Sequence, residues 1–569
     1  MKSFATAALA CTAAAQNLFL QEVSDTPSNS VIDYIEIISN WDGSSYLRDY
    51  EKQAAYIQNV TKTIKSQKAL GTNEAHYTCG TRKDPDSKDA EAFDFLPVFA
   101  AQLTEANPTA TYEGTCFEEI DFKLEKTSDT TFDVHLDLKK PKSLLCSEKF
   151  MFANTETIHL EDDFRRGQHK VSLTMDTVEA QTDFAFGGIK VYMFCDGIVT
   201  EVESLLTTLE CFVGGLSDHP KWPIIGSHVP PYMAKANLEF IQEAMGLTIE
   251  SRSTTGILDI DENLVKSGDF FLIMRLDGLD PMIMWGTGAH GAHCTMAMWF
   301  DDGNGGQELY VVESQDAWYW PTAGIQRTPF KTWLKQAAEA SFNVVWLPLS
   351  EASQQKFDVQ AATDWFNAHE GLPYGYHNFL FGWINTPADN WPPLLPFDFV
   401  PILFSMVSKV LPGPIDTMFT QAMNKRLGVE GKTIPELAAL AAGQQMGLSE
   451  VMAIVEEDGW KYTGLQPRDG EAYVCSAFTA AMYKAAGILE EPVNATEFTP
   501  RDNYMLDIFD TTYERPQVCV DADPNLPYCQ LVGEYRVNIG NDYSKVKPYA
   551  HMNESCPSIN PDYERPEGC

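Results

Sequence analysis

Two apolar runs joined by a turn constrain this chain more than any other feature. Cys294–Phe300 (Cys-Thr-Met-Ala-Met-Trp-Phe) and Leu309–Ser314 (Leu-Tyr-Val-Val-Glu-Ser) have the composition of strands. Between them, Asp301-Asp-Gly-Asn-Gly-Gly306 has the composition of a hairpin turn. The arrangement predicts an antiparallel pair. His293 stands directly before the first run, after the glycine-broken His290-Gly-Ala, and Glu313 stands where the second run stops. The start of one antiparallel strand lies beside the end of its neighbour, so His293 and Glu313 can face each other. A carboxylate placed there holds an imidazole in one tautomer and leaves its other nitrogen for a thiol.

A thiol in a suitable setting lies further along. Glu471-Ala-Tyr-Val-Cys-Ser-Ala-Phe-Thr-Ala-Ala-Met-Tyr-Lys-Ala-Ala-Gly487 puts Cys475 at the start of a run that reads as a helix. Phe478, Met482 and Ala485 recur on one face, and Gly487 supplies a stop. A cysteine at a helix N-terminus feels free N–H groups and the positive end of the macrodipole, which favour thiolate. Taken alone, such a cysteine is more often buried or bridged. His290 competes with His293 as its partner, and spacing favours His293. Cys294 would point to the opposite strand face from His293, as core or in a disulfide. A metal pair at His290 and His293 needs a helix or a third ligand, and this segment is loop running into strand.

The bulk properties narrow the classes. The chain has 569 residues, 44% of them hydrophobic and 21% charged, and a net charge of −39. That balance argues against nucleic acid or an anionic membrane as partner. Residues 1–15 have the shape of a secretory signal, too short to span a bilayer. Beyond Cys11, eleven of the twelve cysteines remain, an odd number that leaves at least one unpaired in an oxidising compartment. Asn59, Asn494 and Asn553 open acceptor triplets for glycosylation.

In chain order, residues 16–225 read as a β-rich domain of unknown role, helical in part towards its start from Glu51 to Lys68. Phe132, Val134, Leu136 and Leu138 alternate, and His169–Met175 and Ile189–Phe194 behave similarly. A Pro-rich stretch ends the domain. A second domain follows over 226–500, with Ser267-Gly268-Asp269 opening the apolar strand Phe270–Leu276 and a helical insertion at about 388–467. Residues 501–569 read as a disulfide-stapled extension with little regular structure, with Cys519–Cys529 and Cys556–Cys569 as the local pairings.

The order Gly268-Asp269 plus strand, His293 plus strand, Glu313, then Cys475 opening a helix resembles the permuted papain-like amidases of the YiiX type, in the NlpC superfamily. There the nucleophile helix follows the histidine strand instead of preceding it. Gly371-Leu-Pro-Tyr-Gly-Tyr-His-Asn378 looks like the tyrosine-bearing segment those proteins carry. The resemblance covers about residues 265–490. It implies an α+β fold, a circularly permuted papain-like domain between the β-rich domain and the stapled tail. It implies Cys475 as nucleophile, His293 as base and later acid, and Glu313 as the orienting group, with Tyr374 as an oxyanion donor or substrate-positioning residue. No metal or organic cofactor is implied. The expected partner is a small amide-containing substrate or a peptide, peptidoglycan fragment or lipid amide, without nucleic acid or a stable membrane span, in a secreted or lysosomal/vacuolar setting. Two alternatives stand: a lipid-directed thioesterase or acyltransferase on the same fold, and a non-catalytic secreted binding protein with Cys475 in a disulfide. A cleft lined by Trp285, Trp318, Trp320 and Trp383 suits either enzyme.

Overall fold

The computed structural model describes residues 97–552, apart from 144–145, 195–228, 316–321, 380–398 and some single or paired positions. The leader-like segment, the expected helix at 51–68, Asn59, Asn553, Trp318, Trp320, Trp383 and Cys79, Cys195, Cys211, Cys556 and Cys569 lie outside the described residues. The chain is mixed α/β with antiparallel sheets, and it divides into two units.

The first unit is built on strands β1 (Val98–Leu103), β2 (Thr109–Tyr112), β3 (Phe117–Lys126), β4 (Thr131–Pro141), β5 (Glu148–Ala153), β6 (Ile158–Phe164), β7 (Gly167–Thr174) and β8 (Ile189–Phe194). They form two four-stranded sheets, β1-β8-β5-β6 and β2-β3-β4-β7. The alternation in β4 buries Phe132, Val134, Leu136 and Leu138, as its period of two requires. These side chains meet those of the other sheet in one core, where the rings of Phe122 and Phe150 meet edge-on at 5.5 Å. Cys116 and Cys146 form a disulfide between the residues leading into β3 and β5. Residues 399–454, from the expected insertion, belong to this unit. Helix Ile434–Gly443 lies along helix Val178–Gly187, and Phe399 meets the Tyr192 ring at 5.3 Å.

The second unit carries β9 (Phe270–Met274), β10 (His293–Asp301), β11 (Gln307–Gln315), β12 (Gly324–Pro329), β13 (Asn343–Leu347) and β16 (Cys529–Val532), with a small pair β14 (Lys461–Tyr462) and β15 (Gly470–Glu471). The main sheet has six antiparallel strands in the order β12-β11-β10-β9-β13-β16. β10 and β11 form the expected hairpin, with Asp301 opposite Gln307. Every residue of β9 and β13 is buried, because both sheet faces are covered. On one face Leu272, Met296 and Val312 pack with Phe478 and Met482 of helix Cys475–Ala485. On the other, Phe271, Ile273 and Val311 pack with Phe330, Trp333 and Ala337 of helix Phe330–Glu339.

The residues after 500 differ from the expected loose extension. The Cys519–Cys529 disulfide is present, but β16 also pairs with β13 as a sheet edge. Leu506, Tyr528, Val537, Ile539 and Met552 are buried in the core of this unit. Arg252 fastens the segment by donating to the carbonyls of Gly533 (3.0 Å) and Gln530 (3.1 Å). Asn494 is also not the surface acceptor its triplet suggests. Its buried amide donates to Glu456 O at 2.6 Å and Glu497 Oε1 at 2.7 Å.

Candidate active site

Cys475 is the first residue of its helix, preceded by Val474 in an extended conformation (ψ 168°). The helix ends at Ala485, and Gly487 follows at φ 77°. Packing of Phe478 and Met482 on the sheet fixes this helix, and Tyr483 adds a hydrogen bond from its hydroxyl to Gly268 O at 3.0 Å. Gly268 sits at φ +92°, and a Cβ there would lie 2.6 Å from the Leu349 side chain, so the turn before β9 needs glycine. Next to it Asp269, fully buried, accepts from Trp346 Nε1 and the Leu349 amide, each at 3.0 Å. The Gly268-Asp269 pair thus anchors β9, β13 and the Cys475 helix together.

That anchoring sets the Cys475 thiol at the beginning of β10. Its Sγ lies 3.6 Å from Ala292 O. His293, the first residue of β10, places Nε2 2.9 Å from Glu313 Oε2 on the neighbouring strand. The other Glu313 oxygen accepts from Trp333 Nε1 at 3.0 Å. Both carboxylate oxygens are therefore engaged, and the ring orientation is fixed. With Nε2 committed to Glu313, Nδ1 is the nitrogen left for the Cys475 sulfur, whose charge is felt at the ring. The structure thus places buried Cys475 beside the residue preceding His293, and His293 against buried Glu313.

The electrostatics follow from those contacts. The Cys475 thiol is held well below the usual thiol range, chiefly by the neighbouring Cys294; burial opposes this, and the charge of His293 reinforces the lowering. For His293, burial disfavours the charged ring, but the Cys475 sulfur and then Glu313 outweigh it and push the ring up to about 10. The paired state is thiolate beside imidazolium.

Several expectations need adjusting. Cys294 is free and buried, so it is in no disulfide. Its side chain faces away from the His293 side, into the core under the Cys475 helix. His290 turns elsewhere, with Nδ1 2.5 Å from Asn538 O. Trp333 was not visible as a participant, because a helical tryptophan carries no local mark of the carboxylate it meets across a sheet face.

Tyr374 bridges to Tyr473 and lines a pocket that opens at Cys475. The pocket encloses about 330 Å³ of empty space including its mouth, and Ile283, Ala292, Phe379, Val474, Phe498 and Pro500 form most of its wall. Thr287, Ser476 and Thr499 also line it, and among the described residues no Asp, Glu, Lys, Arg or His side chain does. Trp285 lies in helix Leu279–Thr287. Among the described residues, no group of three His, Cys, Asp or Glu side chains converges as a metal site, and no helix is long and apolar enough to cross a membrane. No family model, curated protein or solved structure matches this chain.

Proposed function

We propose that this protein is a thiol hydrolase that cleaves amide bonds through Cys475, His293 and Glu313, on a permuted papain-like domain in which the histidine strand precedes the nucleophile helix. The observation that carries the reading is one arrangement: a helix-opening thiol 3.6 Å from the carbonyl of Ala292, next in the chain to an imidazole whose Nε2 is 2.9 Å from a buried carboxylate. Nucleophile, base and orienting group then stand in the order that acyl transfer requires.

The thiolate of Cys475 attacks the amide carbonyl. The Cys475 N–H, unpaired within the helix at its first turn, donates to the developing oxyanion. The imidazolium of His293 gives its Nδ1 proton to the leaving amine, with Glu313 stabilising the charged ring until that moment. Neutral His293 then takes a proton from water, which attacks the thioester carbonyl and releases the acid and the thiol. Tyr374, on the pocket wall, orients the acyl group.

The pocket wall supports an apolar acyl group over a zwitterionic peptide or peptidoglycan fragment, since burying an unpaired charge there would be costly. The same wall favours a lipid-directed thioesterase or acyltransferase as the second reading. A binding protein with Cys475 in a disulfide is disfavoured by the free Cys475. The test uses coumarin amides of medium-chain fatty acids and of charged dipeptides. Wild type should hydrolyse the fatty amides, and Cys475→Ala should lower kcat/KM by at least about 1,000-fold with an unchanged melting temperature. Full activity in Cys475→Ala would refute the assignment. Hydrolysis of acyl thioesters without amides would select the second reading.

A further inference from the structure

A helix whose first turn does chemistry cannot be started in the ordinary way. The usual start is a Ser, Thr, Asp or Asn side chain that accepts from an N–H group of the first turn. In helix Cys475–Ala485 that position belongs to Val474, which has no side-chain bond to give, and the first bond inside the helix runs from the Phe478 amide to Val474 O at 2.8 Å. The N–H groups of Cys475, Ser476 and Ala477 therefore have no partner within the helix, which suits a turn that must meet an anion. Its start has to be fixed from outside. We propose that Ser314 is a positioning residue of this site: its hydroxyl, by holding the Tyr473 carbonyl, sets the start of the Cys475 helix against β11, so that one strand places the base through Glu313 and the nucleophile through Ser314. The catalytic consequence rests on the reading of Cys475 as nucleophile; the hold on Tyr473 does not.

The fixing is done at the carbonyls on either side of Cys475. Ala472 O accepts from Asn378 Nδ2 and Ser476 O from Asn503 Nδ2, each at 3.0 Å. Tyr473 O accepts twice, from Ser314 Oγ at 2.7 Å and from the Gly375 amide at 3.0 Å. Ser314 is set apart from the other donors by its neighbour. It follows Glu313 in β11, and strand alternation sends the two side chains to opposite faces of the sheet. Glu313 meets His293 and Trp333 on the face covered by helix Phe330–Glu339. Ser314 goes with Val312 to the face covered by helix Cys475–Ala485 and reaches the chain two residues before the thiol. Ser314 is wholly buried, so water does not compete for its hydroxyl, and 2.7 Å is the usual length of a good O–H···O bond. The Gly375 amide is the weaker reference point. It comes from the loop before helix Tyr376–Phe379, and it approaches so closely that a Cβ there would lie 2.3 Å from the Tyr473 carbonyl carbon. A side chain on a strand of a six-stranded sheet holds a position more exactly than a loop does.

The test compares two pairs of proteins that differ by one hydroxyl: wild type with Ser314→Ala, and Ser314→Thr with Ser314→Val. The readout is the pH dependence of Cys475 alkylation by iodoacetamide, followed by peptide mapping, which needs no substrate. None of the substitutions changes an ionisable group, so a moved midpoint reports where the thiolate stands relative to the imidazolium. In each pair the member without the hydroxyl should have its midpoint about one unit higher and, below that midpoint, an alkylation rate about tenfold lower. Equal midpoints within a pair whose members both fold would overturn the inference, and should one pair misfold the other decides. With the medium-chain coumarin amide, Ser314→Ala should lower kcat about tenfold and leave KM within about twofold. A raised KM with kcat retained would also overturn it, because Ser314 would then shape the pocket and not place the nucleophile. If the midpoints shift but wild type hydrolyses no amide, the hydrolase reading fails and the positioning by Ser314 stands.

Discussion

The exposed ion pairs on β3 and β4 and the buried charges of the six-stranded sheet are held in opposite ways. In the β-rich unit, Lys139 meets Glu119 at 3.1 Å and also Asp121 on the open side of β3 and β4, where water reaches all three. Such pairs cost little and add little, and they leave the hydrophobic alternation of the strands intact. In the unit of the six-stranded sheet both faces are covered, so His293, Glu313, Asp269, Arg275, Asp277 and Asp280 are all buried. Each needs partners. Arg275 has Asp277 at 2.7 Å and the Ala340 carbonyl at 2.7 Å, and Asp280 accepts the Arg275 amide at 2.7 Å. The comparison teaches where reactive chemistry can be held in this molecule. On a solvated strand face water shares in holding each charge, whereas a doubly covered sheet makes each charge depend on a few chosen neighbours.

The sharpest way to break this comparison is at the carboxylate behind His293. Glu313→Gln keeps an acceptor for Trp333 but presents an NH₂ or a neutral oxygen to His293, so the imidazolium loses its counter-charge. We expect kcat/KM for the fatty amide to fall by about 100-fold and Cys475 alkylation to move to higher pH. An unchanged profile would mean that Glu313 does not orient the ring. A smaller effect is expected from pH alone. Cys475 is held well below its ordinary value and His293 is raised to about 10, so thiolate and imidazolium coexist between those limits. Activity should fall on the acid side as the thiolate gains a proton and on the alkaline side, near pH 10, as the ring loses one. A profile that climbs through pH 8 to 9, as an ordinary thiol ionises, would contradict the pair. The smallest effect belongs to the other unit: Lys139→Ala should leave the melting temperature and Cys475 reactivity unchanged, and a clear loss would show that the open-face ion pairs matter more than their solvation suggests.

Local pattern carried much of this in the sequence. β8, the β10–β11 hairpin and the start of the Cys475 helix are written in apolar periodicity and turn residues close by, and the helix Val359–His369 follows Asp358, whose side chain accepts from the Ala361 amide. The contact between His293 and Glu313 was accessible because hairpin register brings them together on one face. Partnerships between distant segments had no such signal. Nothing in Cys529–Val532 announces that it closes against β13, since four residues carry too little pattern and the surrounding Pro, Asp and Tyr suggest loop. Residues 399–454 read as an insertion in the second domain because they lie within its span of sequence, while their apolar faces suit helix Val178–Gly187 and Tyr192. Trp333 stayed hidden for the same reason: its role arises from a facing element.

The edge strand β16 has a consequence for the order of events during synthesis. β13 emerges from the ribosome long before Cys529–Val532 does, and until then its outer hydrogen-bonding edge is open. A nascent chain held in that condition offers a ready template for pairing with another copy. Completion of the sheet therefore waits on nearly the last described segment to be translated, and a chain stopped soon after the Cys475 helix would carry the reacting residues on a sheet still prone to aggregate.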